Sequence, residues 1–372
     1  MADIDLGFPE ERASDWLTNR YFPSKVGGKP GWLDLSALPT QEQLRCSKCQ
    51  QPKAFLCQIY APFEHEHNFH RSIYVFVCRA EACQVPNEAE NYTVLRSQLP
   101  VCNDFYSEQP PAEEGEPLPA LPTKQKLCLA CGCLGPLSCG RCHKVNYCSA
   151  SHQRAHWPQH KQHCSADAKK QPLTDSNSTA LPEIVFPEWE IVMEPDEQAE
   201  SAAALDKKDE DDAVKEKERL VEFEQLAAAG QAGELQDLPD EELDKYSAEQ
   251  DTVDDKHFRK FKKEVAKEPE QILRYKRNGT PLWIADMDKT FSLTSQQLQI
   301  PKCDACGSER QFEFQIMPQM LLLLNDDHLD WGVLAVFTCA KSCKPAAGIG
   351  YLQEFILKQD IVIDEENSAA QL

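Results

Sequence analysis

CLACGCLGPLSCGRCHKVNYCSASHQRAHWPQHKQHC, residues 128–164, decides how this chain is read. Four ligand pairs follow in order: Cys128/Cys131, Cys139/Cys142, Cys148/His152 and His160/Cys164. The first two are C-x2-C knuckles, a spacing that turns two thiolates toward one metal. The last two are i,i+4 pairs, which share one face of a helix. Eight ligands suffice for two tetrahedral zinc ions. The expected pairing is interleaved: Cys128, Cys131, Cys148 and His152 at one ion, Cys139, Cys142, His160 and Cys164 at the other. The stretch is too short to bury a sizeable core, so metal must supply much of its folding free energy, about 10–16 kcal/mol per structural site in finger peptides. Closed four-ligand sites leave no position for a catalytic water.

Composition places these thiols in a reducing setting. The chain has 372 residues and 17 cysteines, and its acidic start, Met1–Pro9, lacks an apolar signal core. Reduced, metal-binding cysteines are therefore expected rather than a disulfide framework, in cytoplasm or nucleus. No run of about 18 apolar residues occurs, so no membrane span is expected. The net charge of −22 is concentrated: Glu183 to Asp255 carries 26 acidic against six basic residues. From Lys124 to Cys164 there is no acid at all, and Lys124, Lys126, Arg141, Lys144, Arg154 and Lys161 are present. With six thiolates and two zinc ions that finger stands at about +4. A modestly basic finger beside a strongly acidic segment makes direct nucleic-acid binding an unfavoured reading.

A repeat flanks the finger. Gly28-Lys29-Pro30-Gly31-Trp32-Leu33 is matched by Gly279-Thr280-Pro281-Leu282-Trp283-Ile284, and Cys46-x2-Cys49 by Cys303-x2-Cys306. Phe55, Gln58 and Ile59 stand at the same distances after their knuckle as Phe312, Gln315 and Ile316 after theirs. The strand-like run Ile73–Val77 leads into Cys78, as Leu334–Thr338 leads into Cys339, and Cys83 is answered by Cys343. Each half should thus hold its own four-cysteine zinc site: Cys46, Cys49, Cys78 and Cys83, then Cys303, Cys306, Cys339 and Cys343. His65, His67 and His70 fall in the intervening loop and read as solvent-exposed. Cys57, Cys102 and Cys133 have no partner in this scheme and are read as non-ligands; Cys57 aligns with Phe314, a packing position.

Between these parts the chain is punctuated. Gly27-Gly28 and Pro30-Gly31 shape a loop in which Trp32 and Leu33 anchor to a core. Gln41–Arg45 reads as a short helical turn, and Pro110 to Pro122 as an extended tether for the finger. Val185, Trp189, Ile191 and Met193 alternate with acids, the period of a half-buried strand. Phe258, Phe261 and Val265 mark a docking helix from His257, continued by a Pro269-started turn to Tyr275. Leu321–Leu324 reads as a buried run and Tyr351–Ile363 as a final strand. No glycine-rich cofactor loop, P-loop or nucleophile elbow is present, so an enzyme is not expected.

Tyr147-Cys148-Ser149, His152-Gln153, Trp157, His160 and Cys164 resemble the MYND zinc finger, in which cysteine usually stands where His152 is. With Gly27-Gly28, Pro30, Trp32-Leu33, Pro269-Glu270-Gln271, Leu273-Arg274-Tyr275 and Phe312-Glu313-Phe314-Gln315-Ile316-Met317-Pro318-Gln319, the chain resembles the programmed cell death protein 2 family in its MYND-containing branch. The expected architecture is α+β and strand-rich: two homologous zinc-bearing β halves with an inserted small MYND zinc finger and an acidic linker. In order these are an N-terminal β half (1–105), a Pro/Glu-rich link (106–125), the finger (126–165), a linker (166–182), a returning strand (183–195), an acidic linker (196–255) and a C-terminal β half (256–372). The resemblance implies a non-enzymatic, cytoplasmic and nuclear chaperone or adaptor for a small-subunit ribosomal protein, S-two in the eukaryotic naming, supporting 40S subunit biogenesis. Two open halves could clasp such a client by strand addition at a free edge. The alternative is a scaffold whose MYND finger binds proline-containing peptides in transcriptional regulation, apoptosis or proliferation signalling.

Overall fold

The computed structural model describes residues 4–64, 67–111, 117–118, 120–121, 123–165, 180–196, 253–287 and 300–361. Its strands are β1 (Asp5–Glu10), β2 (Lys25–Val26), β3 (Ala54–Tyr60), β4 (His70–Val77), β5 (Tyr92–Leu99), β6 (Leu137–Ser138), β7 (Asn146–Tyr147), β8 (Trp189–Pro195), β9 (Leu273–Tyr275), β10 (Arg310–Ile316), β11 (Val333–Cys339) and β12 (Leu352–Gln359). The helices are α1 (Ala150–His163), α2 (Val253–Val265) and the one-turn α3 (Leu321–Leu324). Among the described residues no helix is long and apolar enough to cross a membrane.

All strands except the finger hairpin β6–β7 close into one antiparallel barrel in the order β1-β8-β2-β3-β4-β5-β12-β11-β10-β9. This corrects the expectation of an α+β protein with two separate β halves. Each half alone would leave edge strands with unpaired amides and carbonyls, and closure removes them. The halves also trade strands. β1, from the N-terminal half, pairs with β9 of the C-terminal half, while β8, the strand that precedes the second copy, pairs with β2 of the first. β1 and β8 pair with each other over Asp5–Glu10 and Glu190–Pro195, and β5 pairs with β12 on the far side.

The internal repeat survives inside the barrel. The β3–β4 register slips between Phe55 and Cys57, and the β10–β11 register slips at the equivalent place, between Phe312 and Phe314. The extra residue of each bulge is Leu56 and Glu313 respectively. Gln58 accepts from the Gly31 amide at 2.8 Å, and its counterpart Gln315 accepts from the Leu282 amide at 2.6 Å, so one side chain fastens the Trp-bearing loop in both copies. Neighbouring strands alternate in direction, so β4 and β11, three steps apart, run oppositely. Cys78 and Cys339 therefore lie on opposite rims.

Val26, Leu56, Ile73, Val75, Phe314, Leu334, Val336 and Ile356 fill the barrel interior. The outer faces are buried too. Trp32, Phe55, Tyr74, Phe76 and Leu95 lie beneath the finger, and Phe312, Val333, Ala335 and Phe337 lie beneath Phe261 of α2 and Ile284. Burial on both faces is why Ile73–Val77 and Leu334–Phe337 are continuous apolar runs rather than alternating ones.

Several local expectations change. His70 is not in an exposed loop: it opens β4, is buried, and stacks 4.4 Å from Phe22. His67 is exposed, and His65 lies outside the described residues. Gln41–Leu44 are turns, not helix, and the end of the Pro269–Tyr275 segment pairs as β9 because its partner strands β1 and β10 are waiting on both sides. Leu321–Leu324 is a single helical turn whose Leu322 is 82% exposed while Leu324 is buried. Nearly all of the acidic linker, and residues 362–363 of the final strand, lie outside the described residues.

Candidate metal centres

The four C-x2-C knuckles share one backbone turn. The amide of the residue four places after the first cysteine donates to that cysteine's carbonyl: Gln50 to Cys46 and His143 to Cys139 at 2.9 Å, Gly132 to Cys128 and Gly307 to Cys303 at 2.8 Å. Each of those donors is left-handed, with φ of 62° at Gln50, 74° at Gly132, 55° at His143 and 69° at Gly307. Glycine occupies two of these positions because it carries no Cβ penalty there.

Each knuckle is completed by a second pair. The structure brings together Cys46, Cys49, Cys78 and Cys83; Cys128, Cys131, Cys148 and His152; Cys139, Cys142, His160 and Cys164; and Cys303, Cys306, Cys339 and Cys343. Within each group the donor atoms lie within 4.8 Å of one another. Sulfur pairs stand 3.8 Å apart at Cys46/Cys83, 3.5 Å at Cys49/Cys78, 3.7 Å at Cys131/Cys148 and at Cys303/Cys343, and 3.6 Å at Cys306/Cys339. A tetrahedral ion with Zn–S of about 2.3 Å would hold its sulfurs about 3.8 Å apart, whereas a disulfide closes them to about 2.0 Å. The donor sets fit a thiophilic tetrahedral cation.

Local fields favour thiolate at one cysteine in each group. Burial opposes the Cys46 thiolate, but the Cys49 and Lys48 amides overcome it and bring the thiol down to about 7. Hydrogen bonds from Ser308 hold Cys306 down to about 6. Cys128 is lowered by Cys131 and Cys148, and Cys139, despite burial, by the Cys142 and Arg141 amides. Burial first, then neighbouring thiolates, push Cys78 and Cys343 the other way. A cation among the sulfurs would favour full ionisation of each group.

In the finger each i,i+4 pair straddles a helix end rather than sharing a face. Ser149 caps α1 by accepting from the His152 amide at 3.1 Å, which leaves Cys148 before the helix, and Cys164 is its C-cap. His152 presents Nδ1, 3.1 Å from Cys148 Sγ, and His160 presents Nε2, 3.3 Å from Cys139 Sγ. Tyr147, fully buried, bonds His156 Nδ1 at 2.9 Å and packs the helix onto β7. Cys57, Cys102 and Cys133 stand outside all four groups. Cys57 and Cys133 are buried, and burial raises the Cys57 thiol so that it stays neutral.

The finger is docked, and the loop that docks it is the one the repeat singled out. Trp32 Nε1 donates to Gly132 O at 2.8 Å, Lys29 Nζ to Leu129 O at 2.7 Å, and Gln41 to the Cys148 carbonyl. A Cβ on Gly132 would stand 2.9 Å from Lys29 Cβ. Gly132→Ala is therefore expected to free the finger from the barrel, at a cost of roughly 1–3 kcal/mol for a non-glycine residue held at that φ. Hydrogen exchange should rise in Trp32–Leu38 and in 128–134 with zinc content unchanged; unaltered exchange would contradict this docking.

The seam between the halves is polar and buried, and sequence reasoning missed it. Arg71 pairs with Glu313 at 2.7 Å, and Glu313 also accepts from Thr338 and Tyr275. Arg96 pairs with Glu354 at 2.6 Å, which Arg310 also reaches at 3.1 Å. Arg71, Arg96, Glu313 and Glu354 have no exposed side-chain surface. The signal available was four charged residues set in or beside otherwise apolar strand patterns.

The architecture is a closed barrel bearing paired cysteine knuckles, with a third cysteine–histidine module of zinc-finger type seated on one face. Its three parts each match a family model: the programmed cell death protein 2 N-terminal domain at residues 3–113, the MYND finger at 128–164, and the programmed cell death protein 2 C-terminal domain at 255–360. "Programmed cell death protein 2" of Bos taurus is 42% identical over 96% of both chains. "Programmed cell death protein 2-like" of Gallus gallus is 30% identical over 91% of this chain and 93% of that one. "Probable 20S rRNA accumulation protein 4" of Schizosaccharomyces pombe is 26% identical over 94% and 96% respectively. No solved structure matches the chain. The chain belongs to the programmed cell death protein 2 family and carries its MYND finger.

Proposed function

We propose that this protein is a non-enzymatic chaperone or adaptor for a small-subunit ribosomal protein, S-two in the eukaryotic naming, acting in cytoplasm and nucleus in support of 40S subunit biogenesis. The observation that carries this reading is the full-length similarity to a relative whose name ties it to 20S rRNA accumulation. Composition agrees with it. A ribosomal protein is basic, and the segment from Glu183 to Asp255 concentrates acid that would screen such a client and speed encounter. In this reading each of the four groups holds one zinc ion as a structural element: Cys46, Cys49, Cys78 and Cys83 and their C-terminal counterparts pin the barrel rims, and the finger ligands fold the finger.

Barrel closure changes how a client would be held. No described barrel strand has a free edge, so strand addition gives way to side-chain surfaces. One such surface is the open apolar groove between Phe258, Phe261 and Val265 of α2 and Ile284, Leu321 and Trp331. The test is purification of the tagged full chain from nuclease-treated cells. A small-subunit ribosomal protein should be the main stoichiometric companion, and deleting 196–255 should weaken its capture and flatten the salt dependence. Its absence would overturn the proposal.

A second reading, a MYND-mediated scaffold for proline-containing peptides, is favoured by one observation. Leu137 and Trp157 are 44% and 40% exposed on the small finger. Loss of all partners on deleting 126–165 would select it over the first.

A further inference from the structure

The four cysteine groups are not equally sheltered. Both finger groups and the Cys46–Cys83 group contain only buried or half-buried ligands. In the fourth group Cys303 and Cys339 are buried, but Cys343 is half-buried and Cys306 is exposed. The shell around a metal controls what reaches it, so among the groups of the described residues a competing ligand has its most open approach here.

The same group sits where the two halves grip each other. Arg96 Nη1 and Gln98 Nε2, both from β5 of the N-terminal half, donate to Cys343 O at 3.1 and 3.3 Å. Gln98 Nε2 also reaches Ser342 O at 3.1 Å, and Arg71 Nε reaches Ser342 Oγ at 3.0 Å. Ser342 is held at φ 45°, a left-handed conformation that a non-glycine residue keeps only when its surroundings enforce it. The loop that receives these bonds is bounded by Cys339 and Cys343, so its shape depends on both ends meeting at one point. The β5–β12 pairing beside it extends over only three residue pairs, Arg96 to Leu352 through Val94 to Glu354. At the opposite rim the reciprocal contacts, the Asn87 amide to Asp360 Oδ2 at 2.7 Å, the Asp360 amide to Asn87 Oδ1 at 2.8 Å and Lys358 Nζ to Val85 O at 3.5 Å, fall beside the sheltered group.

We propose that the Cys303–Cys306–Cys339–Cys343 group is an exchangeable centre for a thiophilic divalent cation, approached through Cys306, and that emptying it releases the β5–β12 seam while the other three centres keep their ions. This rests on the reading above that all four groups hold zinc. The centre then links the availability of zinc, or the presence of thiol-reactive electrophiles, to how tightly the two halves are joined.

The experiment uses the full zinc-loaded chain. A chelator is titrated in with N-ethylmaleimide present, released zinc is measured, and modified cysteines are mapped by mass spectrometry. Cys102, exposed and outside every group, reports the rate of unhindered alkylation. One ion should leave first, with Cys303, Cys306, Cys339 and Cys343 modified an order of magnitude faster than Cys46, Cys49, Cys78 and Cys83. Hydrogen exchange should then rise in β5, β12 and residues 340–343, and not in β3 or β4. Equal rates at the two barrel groups would overturn the inference, as would an emptied C-terminal centre with β5 and β12 still protected. A chain that starts with only two ions would overturn the zinc reading and this inference together; four ions leaving at one rate would overturn this inference alone.

Discussion

Cys78→Ser is expected to remove one zinc ion per chain and to lower the barrel's melting temperature sharply. Cys78 is buried at the end of β4, and its thiol stands 3.5 Å from that of Cys49. A structural zinc site is worth about 10–16 kcal/mol of apparent binding free energy, against a net stability of about 5–15 kcal/mol for a whole domain. Part of that binding free energy is folding free energy, so its loss takes a large share of what a domain holds in reserve. Cys142→Ser should cost an ion as well, but only the finger should unfold, because the barrel's hydrogen bonding closes without it. Zinc content and thermal unfolding check both variants. A Cys78→Ser chain with full zinc and the parent melting temperature would exclude Cys78 as a ligand.

Glu313→Leu is expected to destabilise the protein by about 3–5 kcal/mol, the usual result of leaving a buried charge without its partner. Arg71 would keep its charge among β4, β10 and the Ser342 loop with no carboxylate to meet it. Adding Arg71→Met should recover part of the loss: it removes the stranded guanidinium, but Tyr275, Thr338 and Arg277, which Glu313 also meets, stay without their acceptor. Denaturant unfolding of the single and double variants measures this; a double variant no better than the single would place the cost in packing. The pair also sets an acid response. Burial alone would raise the Glu313 carboxyl, but the Arg71 guanidinium overrides it and holds it below the ordinary range. Its contribution is therefore present above the unfolded carboxylate value of about 4.3 and is lost as pH falls through the lower folded value. The double variant should lose stability less steeply than the parent in that acid window.

The cysteine groupings were legible because a knuckle is local: two thiols three residues apart, with a left-handed residue just after them, need nothing from the rest of the chain. The repeat was legible for a related reason. Gln58 and Gln315 do the same task in each copy, and so stand at the same distance from their knuckles. Closure of the barrel was not legible. β1 contains Gly7 and Pro9, and β5 contains Arg96, Ser97 and Gln98, so neither shows the apolar pattern of a core strand. Gly7 is required because a Cβ there would stand 2.8 Å from Ile191 and 2.9 Å from Leu273, on the two strands that flank β1. Arg96 is tolerated because Glu354 of the other half meets it. Such residues make sense only once both halves are in place. The turn expected from Pro269 to Tyr275 ends early for the same reason: β1 and β10 flank this segment and recruit its last residues as β9.

That each cysteine group closes around a metal is the claim on which the barrel rims, the docked finger and the polar seam all depend. Zinc content of the purified full-length chain, measured by atomic spectrometry against amino-acid analysis, tests it most directly. The account predicts four ions per chain, one for each group brought together in the structure. Two ions, both lost on deleting the finger, would contradict it and leave the barrel cysteines as ordinary thiols.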